Sequence, residues 1–552
     1  MGASTKVIIG LLATCLTSIA VVAASSEPPT AVLLPAPQTS SEKVDAVEPA
    51  IKRLLSENKK YSSETISFYK ENGYMPVWTS GSDLNKFGQI ALDVLKDAAS
   101  EGLNPENYTQ TLTALQNKLS AEEIDIILTN EFIHYIDDVR VGRIPPSHAA
   151  RIIKIISPKT IPVKLIQEAL KESSGEKLRQ MAPDLPDYQA LKKALQHYTK
   201  LAKENTDLPQ ITKKTLKVDE KDDDVSKLRV ILQTLGDYKG IDITSTTFDK
   251  ELETAVKQFQ KRYFINETGV VSDQTRKALN KPLTNLLNKI IINMERLRWL
   301  PDENADNKHI LVNVAGYEVK AYTKNHLDLR IKAIVGKVAT KTPLFYAPMK
   351  NVIVNPSWGV PHSILMRDKI PKILQDPGYV QRAGFTIYNA NGETIDPDQA
   401  DWAHEGASYR LRQHPGARNA LGRIKLNIEN PYTIYLHGTP EEKLFQKTVR
   451  NYSSGCIRLE DPAALASWVL SDSEKYSVDG LDKMVNKGAT VTVPLKEQIN
   501  VYFTYQTVWQ GEEELLYFSP DAYNLDPTLE KLLKIDLKNE PQEEKISKTR
   551  LA

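Results

Sequence analysis

One polar break and one change of hydrophobic period along 552 residues predict a multidomain α+β chain: a helical N-terminal part, a small three-helix bundle, and a mostly β C-terminal part. From about 45 to 215 apolar residues recur at helical spacing, as in Ala91, Leu92, Leu95, Ala98 and Ala99. Past 305 the pattern becomes short strand-like runs separated by Gly, Asn and Pro. The length allows about three or four domains at roughly 150 residues each.

The first 24 residues read as a signal peptide. Lys6 is a thin basic start, residues 7–24 are an uncharged apolar run, and Val22-Ala23-Ala24 offers the small residues a signal peptidase accepts. The run also reaches the lower limit for a membrane span, so an uncleaved anchor is the alternative and the only membrane contact expected. A lipoprotein is disfavoured because Thr14 precedes Cys15. Residues 25–44, with Pro35-Ala36-Pro37, form a low-complexity linker.

The helical domain, 45–215, is punctuated by Gly-Leu-Asn-Pro at 102–105 and Gly-Arg-Ile-Pro-Pro at 142–146. A polar break at 218–224 leads into the bundle at 222–282, with helices expected at 225–235, 248–263 and 272–279. Leu252, Val256, Phe259 and Tyr263 form one apolar stripe, and Ser272 is a plausible cap for the third helix. A connecting helix at 284–300 stops at Pro301. The β domain spans 305–497, with strands expected at 310–314, 317–322 and 351–356. Between His362 and Ala400 strand patterning is absent, and that interval reads as a partly helical insertion. Residues 498–552 are expected to be a C-terminal extension ending in a frayed tail from about 536.

A net charge of +1 with 26% charged residues gives no global reason to expect nucleic acid or an acidic surface as partner, and none is expected. There are two cysteines, Cys15 in the leader and Cys456. Once the leader is removed, Cys456 can form no internal disulfide, so a lone thiol is retained in an oxidising compartment. Upstream, alternation in Thr433-Ile434-Tyr435-Leu436-His437 puts Tyr435 and His437 on one face and Ile434 and Leu436 on the core side. Gly455 allows a tight backbone that projects Cys456 and gathers backbone N–H groups around an oxyanion. Asp461 and Pro462 start a helix behind it. A thiol titrating near 8.5 needs a neighbouring base, and His437 is the candidate by position. From the residues alone, Cys–His catalysis and a buried structural cysteine remain alternatives. The other histidines show no metal-ligand spacing, and neither metal nor cofactor is expected. Arg418 and Arg423 read as solvated surface.

His437-Gly438 followed by Ser453-Ser454-Gly455-Cys456-Ile457-Arg458 resembles the signature of the L,D-transpeptidase (YkuD-type) catalytic domain. The position before Gly455, often His in that family, is Ser454, as in the large periplasmic Gram-negative members. Residues 69–78 and 101–108 resemble the scaffold domain of those members, and 293–301 the helix entering their catalytic domain. Asn355-Pro356-Ser357-Trp358 and the block 415–422 match parts of that domain. The bundle resembles a peptidoglycan-binding domain, although its loop Phe264-Ile265-Asn266-Glu267 departs from the commoner Gly-containing form.

The resemblance implies a periplasmic enzyme with Cys456 as nucleophile, His437 as proton donor and acceptor, and the Gly438 carbonyl orienting the imidazole. By the same analogy the oxyanion donors are the backbone N–H groups of Ser454, Gly455 and Cys456. Arg458, Tyr435 and Trp358 are substrate-binding candidates, and 361–412 corresponds to a substrate-capping insertion. The implied reaction releases D-Ala from a tetrapeptide stem through a thioester and forms a 3→3 peptidoglycan crosslink. The implied partners are peptidoglycan stem peptides, with penicillin-binding proteins or other wall-synthesis proteins, and carbapenems as inhibitors. Rival readings are an L,D-carboxypeptidase or endopeptidase, a lipoprotein-to-peptidoglycan transferase, and a non-catalytic wall-binding scaffold.

Overall fold

The computed structural model describes residues 49–534 apart from 59, 157–160, 205–207, 302–307, 471–472 and 512–513. The expected signal peptide, the linker and the tail from about 536 lie outside the described residues. Among the described residues no helix is long and apolar enough to cross a membrane.

The helical part is organised on α1 (Ala121–Arg140), which starts at a Ser120/Glu123 capping box and buries Ile126, Leu128, Phe132 and Ile136. Asp125 on this helix is fully buried, with no ion-pair partner among the described residues. It accepts from the N–H groups of Val77, Trp78 and Thr79 and from the Tyr69 hydroxyl, so the 69–78 segment wraps one carboxylate. Helix α2 (Pro186–Glu204) completes this part.

Next come α3 (Asp223–Thr234), α4 (Lys250–Arg262) and α5 (Asp273–Leu279), capped by Asp222, Asp249 and Ser272. Leu252, Val256 and Phe259 are fully buried. Tyr263 extends the stripe outward: its ring stacks on Phe259 at 4.1 Å and on Phe518 at 4.8 Å. Phe518 belongs to a hairpin of strands Val508–Gln510 and Leu516–Phe518. Arg262, buried against Asp237, donates to Leu516 O at 2.6 Å, so the bundle is tied to residues far along the chain.

Helix α6 (Leu283–Arg298) packs along α2. Glu295 accepts from Ile144 N at 2.7 Å and the Trp299 indole donates to Ile144 O at 2.9 Å, which brings the 142–146 segment onto the helix.

The β part contains β1 (His309–Asn313), β2 (Glu318–Thr323), β3 (His326–Ile334), β4 (Tyr346–Val354), β5 (Ile424–Ile428), β6 (Leu436–His437), β7 (Ile457–Leu459), β8 (Val491–Pro494) and β9 (Asn500–Thr504). The order is β5-β6-β7-β3-β2-β1-β9-β4-β8, and β4 also pairs with β5, so the sheet closes on itself. Only β6–β7 and β1–β9 are parallel. Ile310, Val312, Val319, Val352, Leu426, Leu436 and Val501 fill its core.

Two expectations are corrected. The sheet does not end at 497: β9 is inserted between β1 and β4, so residues 500–504 are part of this sheet and not an extension. The 362–400 interval is not devoid of strands. Phe385–Tyr388 and Thr394–Ile395 join Trp358–Gly359 and Arg410–Gln413 in a four-stranded sheet with its own core of Leu365, Ile373, Val380, Phe385, Ile387 and Trp402. Strands of two to four residues are too short to display a readable period.

Candidate active site

Parallel pairing of β6 and β7 sets Leu436 opposite Ile457 and His437 opposite Arg458. Ile457 N donates to Tyr435 O at 3.1 Å, which draws Cys456 up beside Tyr435. Leu436, Ile457 and Ile434 face the core. Alternation therefore turns Tyr435, His437, Cys456 and Arg458 to the opposite face, where all four line one cleft. Antiparallel pairing of β5 adds Lys425 directly across from His437. Behind β7, Asp461 accepts from Ala464 N at 2.8 Å and starts α7 (Pro462–Leu470).

The His437 ring is buried, and its Nδ1 lies 2.5 Å from the Gly438 carbonyl oxygen. A carbonyl oxygen only accepts, so Nδ1 carries the hydrogen and Nε2 is left as the basic nitrogen. Gly422 makes room for this turn: a Cβ there would sit 2.6 Å from the Gly438 carbonyl carbon. Burial, aided by the Arg458 charge, pushes the His437 pKa down to about 3, against the opposing pull of the Gly438 carbonyl. Burial pushes the Cys456 thiol up, partly offset by hydrogen bonding to Tyr435 and by the charges of Lys425 and Arg458. At neutral pH both partners are thus uncharged, and the thiol donates to Thr433 O at 3.6 Å.

The loop carrying Cys456 is held from below. Ser453 Oγ donates to Cys456 O at 2.6 Å and accepts from Gly455 N at 3.0 Å, while Gly455 adopts φ +124°. The expected role of the Gly455 N–H as an oxyanion donor is corrected here, because that group is already bonded to Ser453. The N–H groups of Ser454 and Cys456 are the remaining candidates.

The cleft has a volume of about 870 Å³ and lies between this face and the 361–412 insertion. Trp358 lines it with the Lys369 ammonium 5.3 Å from its ring. Arg367 reaches from the insertion to Ser454 Oγ at 2.8 Å. Arg458 pairs with Glu441, so this substrate-binding candidate also braces the 441 loop. Arg418 is exposed, as expected, and lines the cleft, whereas Arg423 is half-buried and donates to Asn355 Oδ1 and Val485 O, so it is not the solvated surface expected. Sequence reasoning also passed over Lys425, whose ammonium sits 4.0 Å from the Tyr435 ring. Its position two residues before Asn427 in an alternating strand was the available signal. Among the described residues no cluster of His, Cys, Asp and Glu could hold a metal ion.

Residues 307–493 match the family described as "L,D-transpeptidase catalytic domain". The chain carries an L,D-transpeptidase catalytic domain. Ahead of the transpeptidase domain, residues 63–195 match "Scaffold domain" and 221–279 match "Putative peptidoglycan binding domain". A Haemophilus influenzae protein named "Putative L,D-transpeptidase" is 32% identical over 245 residues, covering 44% of this chain and 49% of that protein. The chain thus spans about half the length of this curated relative. Solved structures of L,D-transpeptidases from Xylanimonas cellulosilytica and Stackebrandtia nassauensis align at 14% and 13% identity. They cover 53% and 52% of this chain, and 100% and 97% of their own, with TM-scores of 0.17 and 0.20.

Proposed function

We propose that the protein is a periplasmic L,D-transpeptidase that forms 3→3 peptidoglycan crosslinks through a Cys456 thioester. The observation that carries this reading is a thiol, lone among the described residues, on the same sheet face as a buried imidazole whose Nδ1 is fixed by Gly438 O.

In the proposed reaction, Nε2 of His437 takes the Cys456 proton as sulfur attacks the carbonyl joining meso-diaminopimelate to the terminal D-Ala of a tetrapeptide stem. The C–N bond breaks, the imidazolium returns the proton to the departing D-Ala amine, and a thioester remains. The side-chain amine of a second stem's diaminopimelate then attacks. It loses its proton to His437 and expels the thiolate, which is reprotonated. Backbone N–H groups of Ser454 and Cys456 stabilise the oxyanion in both steps. Arg418, whose guanidinium has no side-chain partner among the described residues, fits a stem carboxylate. Trp358 and Tyr435 wall the donor site. Residues 221–279 are proposed to hold the enzyme on its substrate, with penicillin-binding proteins or other wall-synthesis proteins as partners.

Incubation of the purified protein with disaccharide-tetrapeptides, followed by mass spectrometry, tests the reading. Crosslinked dimers lacking one D-Ala are expected. Tripeptides alone would identify a hydrolase, and unchanged substrate would leave a binding scaffold.

A further inference from the structure

The match to the catalytic domain ends at 493, yet the Cys456 loop is anchored by a residue thirty positions beyond it. Thr342, fully buried, donates from Oγ1 to Gly455 O at 2.7 Å and accepts at the same oxygen from Gly336 N at 3.0 Å. Tyr523, also buried, accepts from Thr342 N at 3.1 Å and donates to Gly336 O at 2.7 Å. One phenol therefore closes the turn that aims the threonine hydroxyl. Tyr523 is itself fixed: its N–H donates to Tyr505 OH at 2.8 Å, that hydroxyl donates to Asp521 at 2.7 Å, and the two rings stack at 5.5 Å. Asp521 also accepts from Leu525 N and Asp526 N, at the start of α8 (Asp526–Leu533). Asp526 is paired with Arg296 of α6 at 2.7 Å.

The consequence follows from the geometry of a trans peptide, whose C=O and N–H point in opposite directions. With Gly455 O held inward on Thr342, the Cys456 N–H of the same peptide unit points away from that buried threonine. Gly455 at φ +124° has no Cβ to restrict this peptide, so the orientation has to be imposed by a partner. We propose that Thr342 and Tyr523 are positioning residues that orient the Gly455–Cys456 peptide so that its N–H serves as an oxyanion donor. This rests on the acyl-transfer reading above, and it makes the chain after the matched domain part of the catalytic apparatus.

The test compares wild type with Thr342→Val, Thr342→Ser and Tyr523→Phe in the full chain. Two rates are read: D-Ala release from disaccharide-tetrapeptide, and alkylation of Cys456 by iodoacetamide, which forms no oxyanion. Release is expected to fall at least about tenfold in Thr342→Val and Tyr523→Phe, as for a lost oxyanion donor, and to be restored in Thr342→Ser. Alkylation is expected to stay within about twofold, because thiol access and protonation are untouched. Unchanged release, or release and alkylation falling together with thermal stability, would overturn the proposal. If wild type releases no D-Ala, the functional reading fails by itself. The brace is then judged from the Cys456 amide resonance of protein labelled with 15N-cysteine. Movement or broadening in both variants is expected, and an unmoved resonance overturns it.

Discussion

The Arg367 guanidinium donates to the Ser454 hydroxyl at 2.8 Å, joining the 361–412 insertion to the loop that carries Cys456. Arg367 lies in a one-turn π-helical segment, Leu365–Lys369, and also pairs with Asp368 at 2.7 Å. This is a direct polar tie between the insertion and the Cys456 loop. Arg367→Ala is expected to raise KM for the tetrapeptide donor by about three- to tenfold, the scale of one charged hydrogen bond in a partly exposed site. Its kcat should change less. Steady-state D-Ala release separates the two; a loss confined to kcat would assign Arg367 to the chemistry.

On the proposed reading, His437 is a base held neutral by burial, and the acid limb is unusual. With the His437 pKa pushed down to about 3, Nε2 remains unprotonated through the range where an ordinary imidazole, near 6.5, would charge. The pH profile of kcat/KM should therefore show no protonation near 6.5, and its acid fall should lie below about pH 5. Stability carries the opposite mark of the same shift. The unfolded chain binds a proton near 6.5 that the folded ring refuses, so stability falls as pH drops from about 6.5 toward 3. His437→Gln is expected to flatten that part of the stability curve while abolishing D-Ala release.

Lys425 supplies a positive charge on the same face, over the Tyr435 ring and opposite His437. That charge favours the Cys456 thiolate and disfavours the His437 imidazolium. Lys425→Met should therefore move the pH midpoint of Cys456 alkylation upward, whereas Lys425→Arg should hold it near wild type. An unmoved midpoint in Lys425→Met would remove the lysine from the electrostatics of the site.

The bundle is secured by one enclosed ion pair. Arg262 and Asp237 are both shielded from solvent, and Arg262 also bonds the C-terminal hairpin through Leu516 O. Removing the carboxylate in Asp237→Ala strands a buried guanidinium, at a cost of about 3–5 kcal/mol. Denaturant unfolding monitored by tryptophan fluorescence reads this loss.

The shared face of Tyr435 and His437 was legible because local rules place these residues. Alternation from Thr433 to His437 separates Ile434 and Leu436 from Tyr435 and His437, and Asp461-Pro462 opens a helix wherever it stands. What escaped were long-range relations. Asn500–Thr504 reads as an isolated run, and nothing local reveals that it pairs in parallel with His309–Asn313, nearly two hundred residues earlier. The loss of Gly455 as a donor depends on where the Ser453 hydroxyl turns, and the Tyr523 brace on a contact across 181 residues of sequence separation. Lys425 was visible as an outward-facing residue of an alternating strand. Its importance appears only when β6 is set beside it.

The most direct measurement is the intact mass of the full chain after brief incubation with disaccharide-tetrapeptide, for wild type and Cys456→Ala. Wild type should gain the mass of the donor less one D-Ala, with the adduct on the peptide containing Cys456 and labile to hydroxylamine as a thioester is. Cys456→Ala should gain nothing. An adduct on another residue, or equal labelling of Cys456→Ala, would contradict the assignment of Cys456 as the acyl carrier.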